Sequence, residues 1–443
     1  MKRKLKKHTK MKMKSLMALF FCGLFAAQAQ QVLTLEEAVK IALQNNYDIR
    51  LAKNDLKVDQ ANVAIGNAGM LPTVTANVVD NNGIQNASQT RTDGTQTSLD
   101  NAKNNSLNLG VGLDWTVFDG FRMFARYDQL KELQKLGETQ LKLTIITKVR
   151  DVNETYYDLV QQQQQLAALD TTLVISRQRL ELAQNRFTIG KASKLEVLNA
   201  QVDLNTDITN MLKQKDTYQK TKVTLNQILA RDPQTDFKVV DNIVVDKDLQ
   251  LVELTNLAVS QNPQLQAQIV NKRVSELQLK QVKAGRFPTV RVNTGYNFAE
   301  TQSSIGFTSQ TSARGLTYGF TASMNIFDGF FQNRNEKIAK LGIENAQIAI
   351  EQQQNTLSSQ LVSAFQTYQT NIQLSELEDK NEDIAKQNLD ITLEKFRIGT
   401  ITTFEFRTAQ LNFVNAQLRN SNAQYVAKLS EIALKELAGN LSF

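Results

Sequence analysis

Histidine and cysteine, the side chains most often used for catalysis and metal binding, occur once each, as His8 and Cys22. Both fall in a segment composed like an export signal. Lys2, Arg3, Lys4, Lys6, Lys7, Lys10, Lys12 and Lys14 make a basic start, residues 16–27 a short apolar core, and Ala27-Gln28-Ala29 a small-x-small cleavage site. Residues 1–29 therefore read as a secretory signal peptide, with the mature chain starting at Gln30. The apolar run is short for a membrane anchor. Phe20-Phe21 stand before Cys22 where a lipoprotein signal wants small residues, so acylation is not expected. Cleavage removes every thiol, imidazole and His/Cys metal site and leaves carboxylate chemistry alone. Glu36-Glu37 is a carboxylate pair, but it sits at a polar helix start, where acids suit the helix dipole, and no motif surrounds it. No catalytic residue, metal site or cofactor is expected. The signal also carries 8 of the 51 basic residues and none of the 44 acidic ones, leaving 43 against 44, a balance of −1. The basic pI thus belongs to the signal and is no argument for nucleic acid.

The informative chemistry is instead the alternation of apolar and polar side chains. In residues 107–120, Leu107, Leu109, Val111, Leu113, Trp115 and Val117 alternate with Asn108, Gly110, Gly112, Asp114 and Thr116. That period of two is a strand with one apolar and one wet face. It ends on Asp119-Gly120, a turn signal. The composite returns at residues 316–329, where Leu316, Tyr318, Phe320, Ala322, Met324 and Ile326 alternate with small or polar residues. An earlier strand starts after Pro72 (Val74, Ala76, Val78) and another after Pro288 (Val290, Val292, Tyr296, Phe298). The polar stretches 81–106 and 300–314 read as solvated loops.

These pieces belong to an internal repeat. Ala68–Val74 matches Ala284–Val290 at an offset of 216, and Phe118-Asp119-Gly120-Phe121 matches Phe327-Asp328-Gly329-Phe330 at 209. Phe187-Thr188-Ile189-Gly190 matches Phe396-Arg397-Ile398-Gly399, again at 209. The seven-residue difference is assigned to the loop between the first copy's strands. The resulting division is residues 30–232 as first repeat, 233–250 as connector and 251–443 as second repeat. Each repeat holds a helix (35–68 and 251–284, the latter split at Pro263), two strands, a long helix and a return helix (193–229 and 402–437). Ile145, Val152, Leu159, Leu166, Leu173, Leu180 and Phe187 recur every seven residues, a coiled-coil seam. A helix over 122–186 would be roughly 100 Å long at ~1.5 Å per residue. Gly190 and Gly399 end the long helices.

No apolar run outside the signal is long enough for a membrane helix, whereas strands of about a dozen residues with a continuous apolar face fit a tilted bilayer crossing. On this reading Leu107, Leu109, Val111, Leu113, Trp115, Leu316, Tyr318 and Phe320 face lipid, and Trp115, Phe118, Phe327, Phe330 and Phe331 form an aromatic girdle. Four strands cannot close a barrel, and open edges cannot face lipid, so several chains must pool them. A soluble sheet with one face on a core is the alternative.

The order of signal, helix, Leu-Pro strand, polar loop, strand, Phe-Asp-Gly, long helix, Arg-Phe-x-x-Gly and return helix, most of it duplicated, resembles the TolC family of outer-membrane efflux proteins across the mature chain. Residues 186–201 look like that family's hairpin tip, and 395–410 like its second copy. The resemblance implies an α+β membrane protein. Three chains would form a homotrimer whose 12-stranded β-barrel, four strands per chain, continues as an antiparallel α-helical coiled-coil barrel in the periplasm. The implied function is passive: an exit duct, in the cell outer membrane with a large periplasmic portion, for an inner-membrane transporter and a periplasmic adaptor in efflux or type I secretion. Phe187, Ile189, Gly190, Phe396, Ile398 and Gly399 become adaptor-contact candidates, with Phe187 and Phe396 each plugging a tip against its neighbour. The plainer reading of the same residues is a helix terminus with one packed aromatic. Glu196, Glu405, Phe396 and Ile401 become candidates for the lumen gate. Relatives with a described latch carry tyrosine at Phe396, arginine at Ile401 and aspartate at Thr408, so that hydrogen-bonded latch cannot form here. Closure must rest on packing or on other charges such as Lys191, Lys194 and Arg407. An alternative outside the channel class is a secreted periplasmic coiled-coil structural or adaptor protein that never enters the membrane. The sequence does not name the cargo; without His, Cys or a Met cluster, dedicated soft-metal handling is disfavoured.

Overall fold

The computed structural model describes residues 32–441. The signal peptide read from residues 1–29 lies outside the described residues. The chain divides into two compact units. One holds residues 32–52, 141–263 and 354–441; the other holds 53–140 and 264–353.

The first unit is helical apart from one small pairing. β1 (Val32–Leu33) lies parallel to β4 (Lys238–Val239), which places a short strand inside a connector expected to be irregular. Tyr156 ties the two together. Its hydroxyl donates to the Leu33 carbonyl at 2.9 Å and accepts from the Val240 amide at 3.2 Å. Around it Val39, Val149, Val152, Leu159, Leu225, Phe237 and Ile432 form a buried core. Burial raises the Tyr157 hydroxyl to about 12.

The first helical stretch is not continuous to Ala68 as its pattern suggests. α1 (Leu35–Asn45) stops at Asn46, and α2 (Tyr47–Asn62) ends before the turn that precedes Pro72. No proline makes this break. Asn46 takes an extended ψ of 130°, its Oδ1 accepts from the amides of Asp48 and Ile49, and its Nδ2 donates to the Ile228 carbonyl at 2.8 Å. The second half repeats the device 216 residues later. α5 (Leu251–Gln261) ends at Asn262, whose Nδ2 donates to the Leu437 carbonyl at 3.0 Å, and α6 begins at Pro263 and runs to Lys283. Glu37 completes a capping box with Thr34, which gives the early carboxylate pair a structural role.

The long helices are α3 (Arg122–Thr188, 67 residues) and α7 (Phe331–Ile398, 68 residues). α4 (Lys194–Ile228) and α8 (Thr403–Leu437), 35 residues each, return from them. No helix among the described residues is long and apolar enough to cross a membrane. The heptad seam is buried or half-buried from Ile145 to Leu180 but does not include Phe187, which is exposed.

The second unit contains an antiparallel sheet of order β2-β3-β5-β6. Its strands are β2 (Thr73–Thr90), β3 (Gln96–Phe118), β5 (Thr289–Ser303) and β6 (Gln310–Ser323). They are 14 to 23 residues long rather than a dozen. Most of the residues read as polar loops are paired strand, and only 91–95 and 304–309 connect the strands of each hairpin. Polar side chains cost a solvated strand nothing, because the backbone ladder satisfies the N–H and C=O groups whatever the side chains are. The seven extra residues of the first copy therefore lengthen its hairpin instead of its loop. β6, conversely, stops at Ser323, so Met324 and Ile326 lie beyond the alternating strand. The Phe-Asp-Gly-Phe motif is the strand-to-helix turn. Gly120 and Phe121 adopt φ of 71° and 68°, Gly329 and Phe330 each 64°, and Asp119 and Asp328 accept from the amides of Met123 and Gln332.

Candidate functional site

Two places collect the candidate residues: the ends of the helical hairpins and the two faces of the sheet. Both hairpin ends are built the same way. After α3, the Gly190 amide donates to the Phe187 carbonyl at 3.0 Å and the Lys191 amide to the Arg186 carbonyl at 2.7 Å. After α7, Gly399 donates to Phe396 at 3.1 Å and Thr400 to Lys395 at 3.0 Å. This is the paired bonding of a Schellman end, which needs a left-handed residue; Gly190 has φ 72° and Gly399 φ 81°. Ser193 and Thr402 then cap the return helices, accepting from the amides of Glu196 and Glu405.

The aromatic residues at the two ends part company. Phe187 is 42% exposed, with the Lys194 ammonium over its ring at 5.5 Å. Phe396 is 2% exposed and stacks on Phe406 with ring centroids 4.8 Å apart. The Arg186 guanidinium lies over the Phe396 ring at 5.0 Å and donates to its carbonyl at 2.9 Å. The reason is the facing helix. The residue 209 before Phe406 is Val197, which packs with Ala183 and Ala200 and offers Phe187 no ring to stack on. Ile401 packs half-buried against the Phe396 and Phe406 cluster. Ile189 and Ile398 stand exposed at the two turns.

The two candidate gate carboxylates are already engaged. Glu196 accepts from the Thr403 hydroxyl at 2.5 Å, linking the starts of α4 and α8. Glu405 accepts from the Thr402 amide at 2.8 Å and hydroxyl at 2.9 Å, closing a capping box. Those bonds from Thr402, its backbone amide first, hold the Glu405 carboxyl below the usual carboxylate range.

A buried polar network lies along the same helices and escaped the sequence reading except for Arg407. The Arg407 guanidinium grips Asp207 with two bonds of 2.8 Å and approaches Asp203 at 3.8 Å. Ser176 donates to Asp207 at 2.6 Å, and Arg179 pairs with Asp203. Gln410 accepts from Arg407 at 3.1 Å and donates to Ser176 at 2.9 Å. Arg179 is buried, and its Nε and Nη1 find no partner among the described residues. Arg179, Arg186, Glu196, Asp203 and Arg407 share the wall of a cavity of about 600 Å³. The signal for this network was present: Thr172, Ser176 and Arg179 at i, i+4, i+7, then Asp203 and Asp207 at i, i+4, put polar groups on one helix face. Of the three cations considered for closure, Arg407 is the one in this network.

In the sheet, the register puts whole rows on one face. Trp115 opposes Val292, which opposes Phe320; Leu113 opposes Val74 and Thr294, and Thr294 opposes Tyr318. Val111 opposes Ala76 and Tyr296, and Tyr296 opposes Leu316. Leu109 joins Val78 and Phe298. Leu107, the next step up, shares its row with Asp80 and Glu300, so it is the rim of the apolar belt and no longer its interior. Tyr318 is 83% exposed and Phe320 76%, so nothing among the described residues covers them. The Trp115 indole donates to the Met70 carbonyl at 2.9 Å. Among the described residues, strands β2 and β6 each leave one edge unpaired.

A family model described as "Outer membrane efflux protein" matches residues 38–231 and 254–440. The outer membrane protein TolC of Escherichia coli is 22% identical over 75% of this chain and 74% of its own. The outer membrane efflux protein BepC of Brucella suis is 20% identical over 92% of this chain and 86% of its own. The Campylobacter jejuni CmeC outer membrane channel superposes with a TM-score of 0.74 at 17% identity, over 92% of this chain and 85% of that structure.

Proposed function

The chain belongs to the outer membrane efflux protein family, and from that premise we propose that it is the outer-membrane exit duct of an efflux or secretion system. It sits in the outer membrane with its helical unit in the periplasm, and passes cargo delivered by an inner-membrane transporter through a periplasmic adaptor. Three copies pool their sheets into a 12-stranded barrel and their helices into a coiled-coil barrel. The two family matches on one chain support its origin by duplication.

The observation that carries this reading is the four-strand sheet with an uncovered apolar face and two unpaired edges. In lipid each unpaired backbone group costs several kcal/mol, so the edges must meet those of other copies. A periplasmic protein would leave the same apolar face in water without use. At the hairpin ends, Phe187, Ile189 and Ile398 offer exposed apolar contacts to an adaptor, and Gly190 and Gly399 set the shape that presents them. Phe396 supports that surface from beneath, Ile401, Glu196 and Glu405 line the gate, and the Arg407–Asp207 network holds the ends together when the duct is closed. The test is the mass of the detergent-extracted protein from outer-membrane fractions. Three copies are expected; a folded monomer, or a chain recovered soluble from the periplasm, would overturn the proposal.

A further inference from the structure

The charged side chains of the sheet are divided between its faces. Between the bulge at Gln85/Ala87 and the one at Thr116/Phe118 the register is unbroken, so each position has a fixed face. Asp80, Lys103 and Glu300 lie on the face that carries Val111 and Tyr296, at or beyond the rim of the apolar belt, and Arg314 lies on the same face opposite Phe298, in the Leu109 row. The opposite face has the composition of neutral, hydrogen-bonding material. On β3 it runs Gly112, Gly110, Asn108, Ser106 and Asn104. The matching positions of the other three strands are Thr, Asn, Ser, Gly, Ala or Val. Within this unbroken stretch charge appears on that face only at the end next to the long helices, as Asp114 and Arg291; Asp100 of β3 lies at the Gln85/Ala87 bulge, outside it. They occupy neighbouring rows, Asp114 opposite Asn293 and Arg291 opposite Thr116, and their signs cancel.

A wet pore wall would tolerate charge at any of these positions, and the outer rim of the belt shows that the strands carry it. The absence from one face is therefore a property of that face. The charges on the far side are of both signs, Asp80 and Glu300 against Lys103 and Arg314, and sum to zero.

We infer that the sheet section of the duct sets up no net potential in its lumen and passes polar cargo of either sign, or none, by hydrogen bonding and size alone. This rests on the proposed assembly, in which the Asn108 face is the inner one. Any preference for charge then belongs to the helical section, where Glu196, Glu405 and the arginines lie.

The mature chain has no cysteine, so single thiols can be placed at will. Asn108→Cys and Val111→Cys are made in the full chain and reconstituted in lipid vesicles. Each is reacted with a cationic and an anionic thiosulfonate reagent of similar size. For Asn108→Cys the ratio of the two rates should match that of a free thiol in the same buffer, since a lumen potential of only about one kT would change it about sevenfold. Adding Ser106→Asp to that variant should shift the ratio toward the cationic reagent, which shows the readout is sensitive. A ratio displaced from the free-thiol value in Asn108→Cys alone would overturn the neutral lumen while leaving the channel intact. If Asn108→Cys resists both reagents while Val111→Cys reacts, the faces are reversed and the assembly itself fails.

Discussion

Asn46 and Asn262 show how much a single polar residue can decide. Each ends one helix, admits the next and reaches across to the last carbonyls of a return helix. Loss of the cap and of a partner for the half-buried Ile228 carbonyl should cost about 1–3 kcal/mol in Asn46→Ala. The check is the urea midpoint of the detergent-solubilised protein. Pro263 made the second break legible; Tyr47 at the equivalent place hid the first, because an asparagine inside a helical pattern carries no comparable signal. The Arg407–Asp207 pair is a second residue-scale device. Removing one partner of a buried pair strands the other, so Arg407→Leu should cost about 3–5 kcal/mol, and Arg407→Leu with Asp207→Leu distinctly less. If the network also holds the ends closed, both variants should conduct more ions in a planar bilayer than the parent; unchanged conductance would reduce the network to packing. Glu405 adds a pH dependence. Its folded-state carboxyl titrates below its ordinary value, so its contribution is complete above the ordinary carboxylate range and is lost as pH falls through the lowered value. Amide exchange at the start of α8 should accelerate only under that acidification, and not at neutral pH.

At the scale of elements, what the sequence states well is where one face is apolar, and what it states poorly is where an element stops. The long helices and their ends were legible because the heptads, the Arg-Phe-x-x-Gly signals and the shared offset of 209 between the copies agree. The strands were underestimated because alternation fades at Asp80 and Glu300, where the belt ends, although the ladder continues. The fate of Phe187 and Phe396 depended on Val197 and Phe406, on the opposite arms of the hairpins, and no local pattern reports that. Two expectations follow. Gly190→Val and Gly399→Val place a β-branched residue at φ 72° and 81°, a strain of about 1–2 kcal/mol in the turn. These variants should reach the outer membrane assembled and yet fail to support efflux, measured as cargo accumulation in cells; normal efflux would remove the turns from the docking surface. In the sheet, Val111→Arg should destabilise by about 2–4 kcal/mol at mid-belt and Asn108→Arg much less, as read from the folding yield in lipid.

For the whole molecule, the unanswered demand is that of two strand edges. β2 and β6 are separated by β3 and β5, about 14 Å away at about 4.8 Å per strand. A disulfide needs Cα atoms within about 7 Å, so thiols on the two edges of one chain cannot join while the sheet is flat or gently curved. They can join only where the β6 of one copy meets the β2 of the next. Thr75→Cys is therefore combined in turn with Thr311→Cys, Thr317→Cys or Thr321→Cys, which sample the β6 edge at different heights and lie on the same face as Thr75. In a closed ring of three, the combination in register should yield, on mild oxidation in the membrane, a covalent species of three chains that neither single variant gives. Its height on β6 would also report the stagger with which neighbouring sheets join, which the tilt of a barrel requires to be non-zero. If every combination stayed monomeric under denaturing electrophoresis while both thiols proved accessible, the edges would not meet, and closure by a second copy would have to give way to some other cover for the two strands.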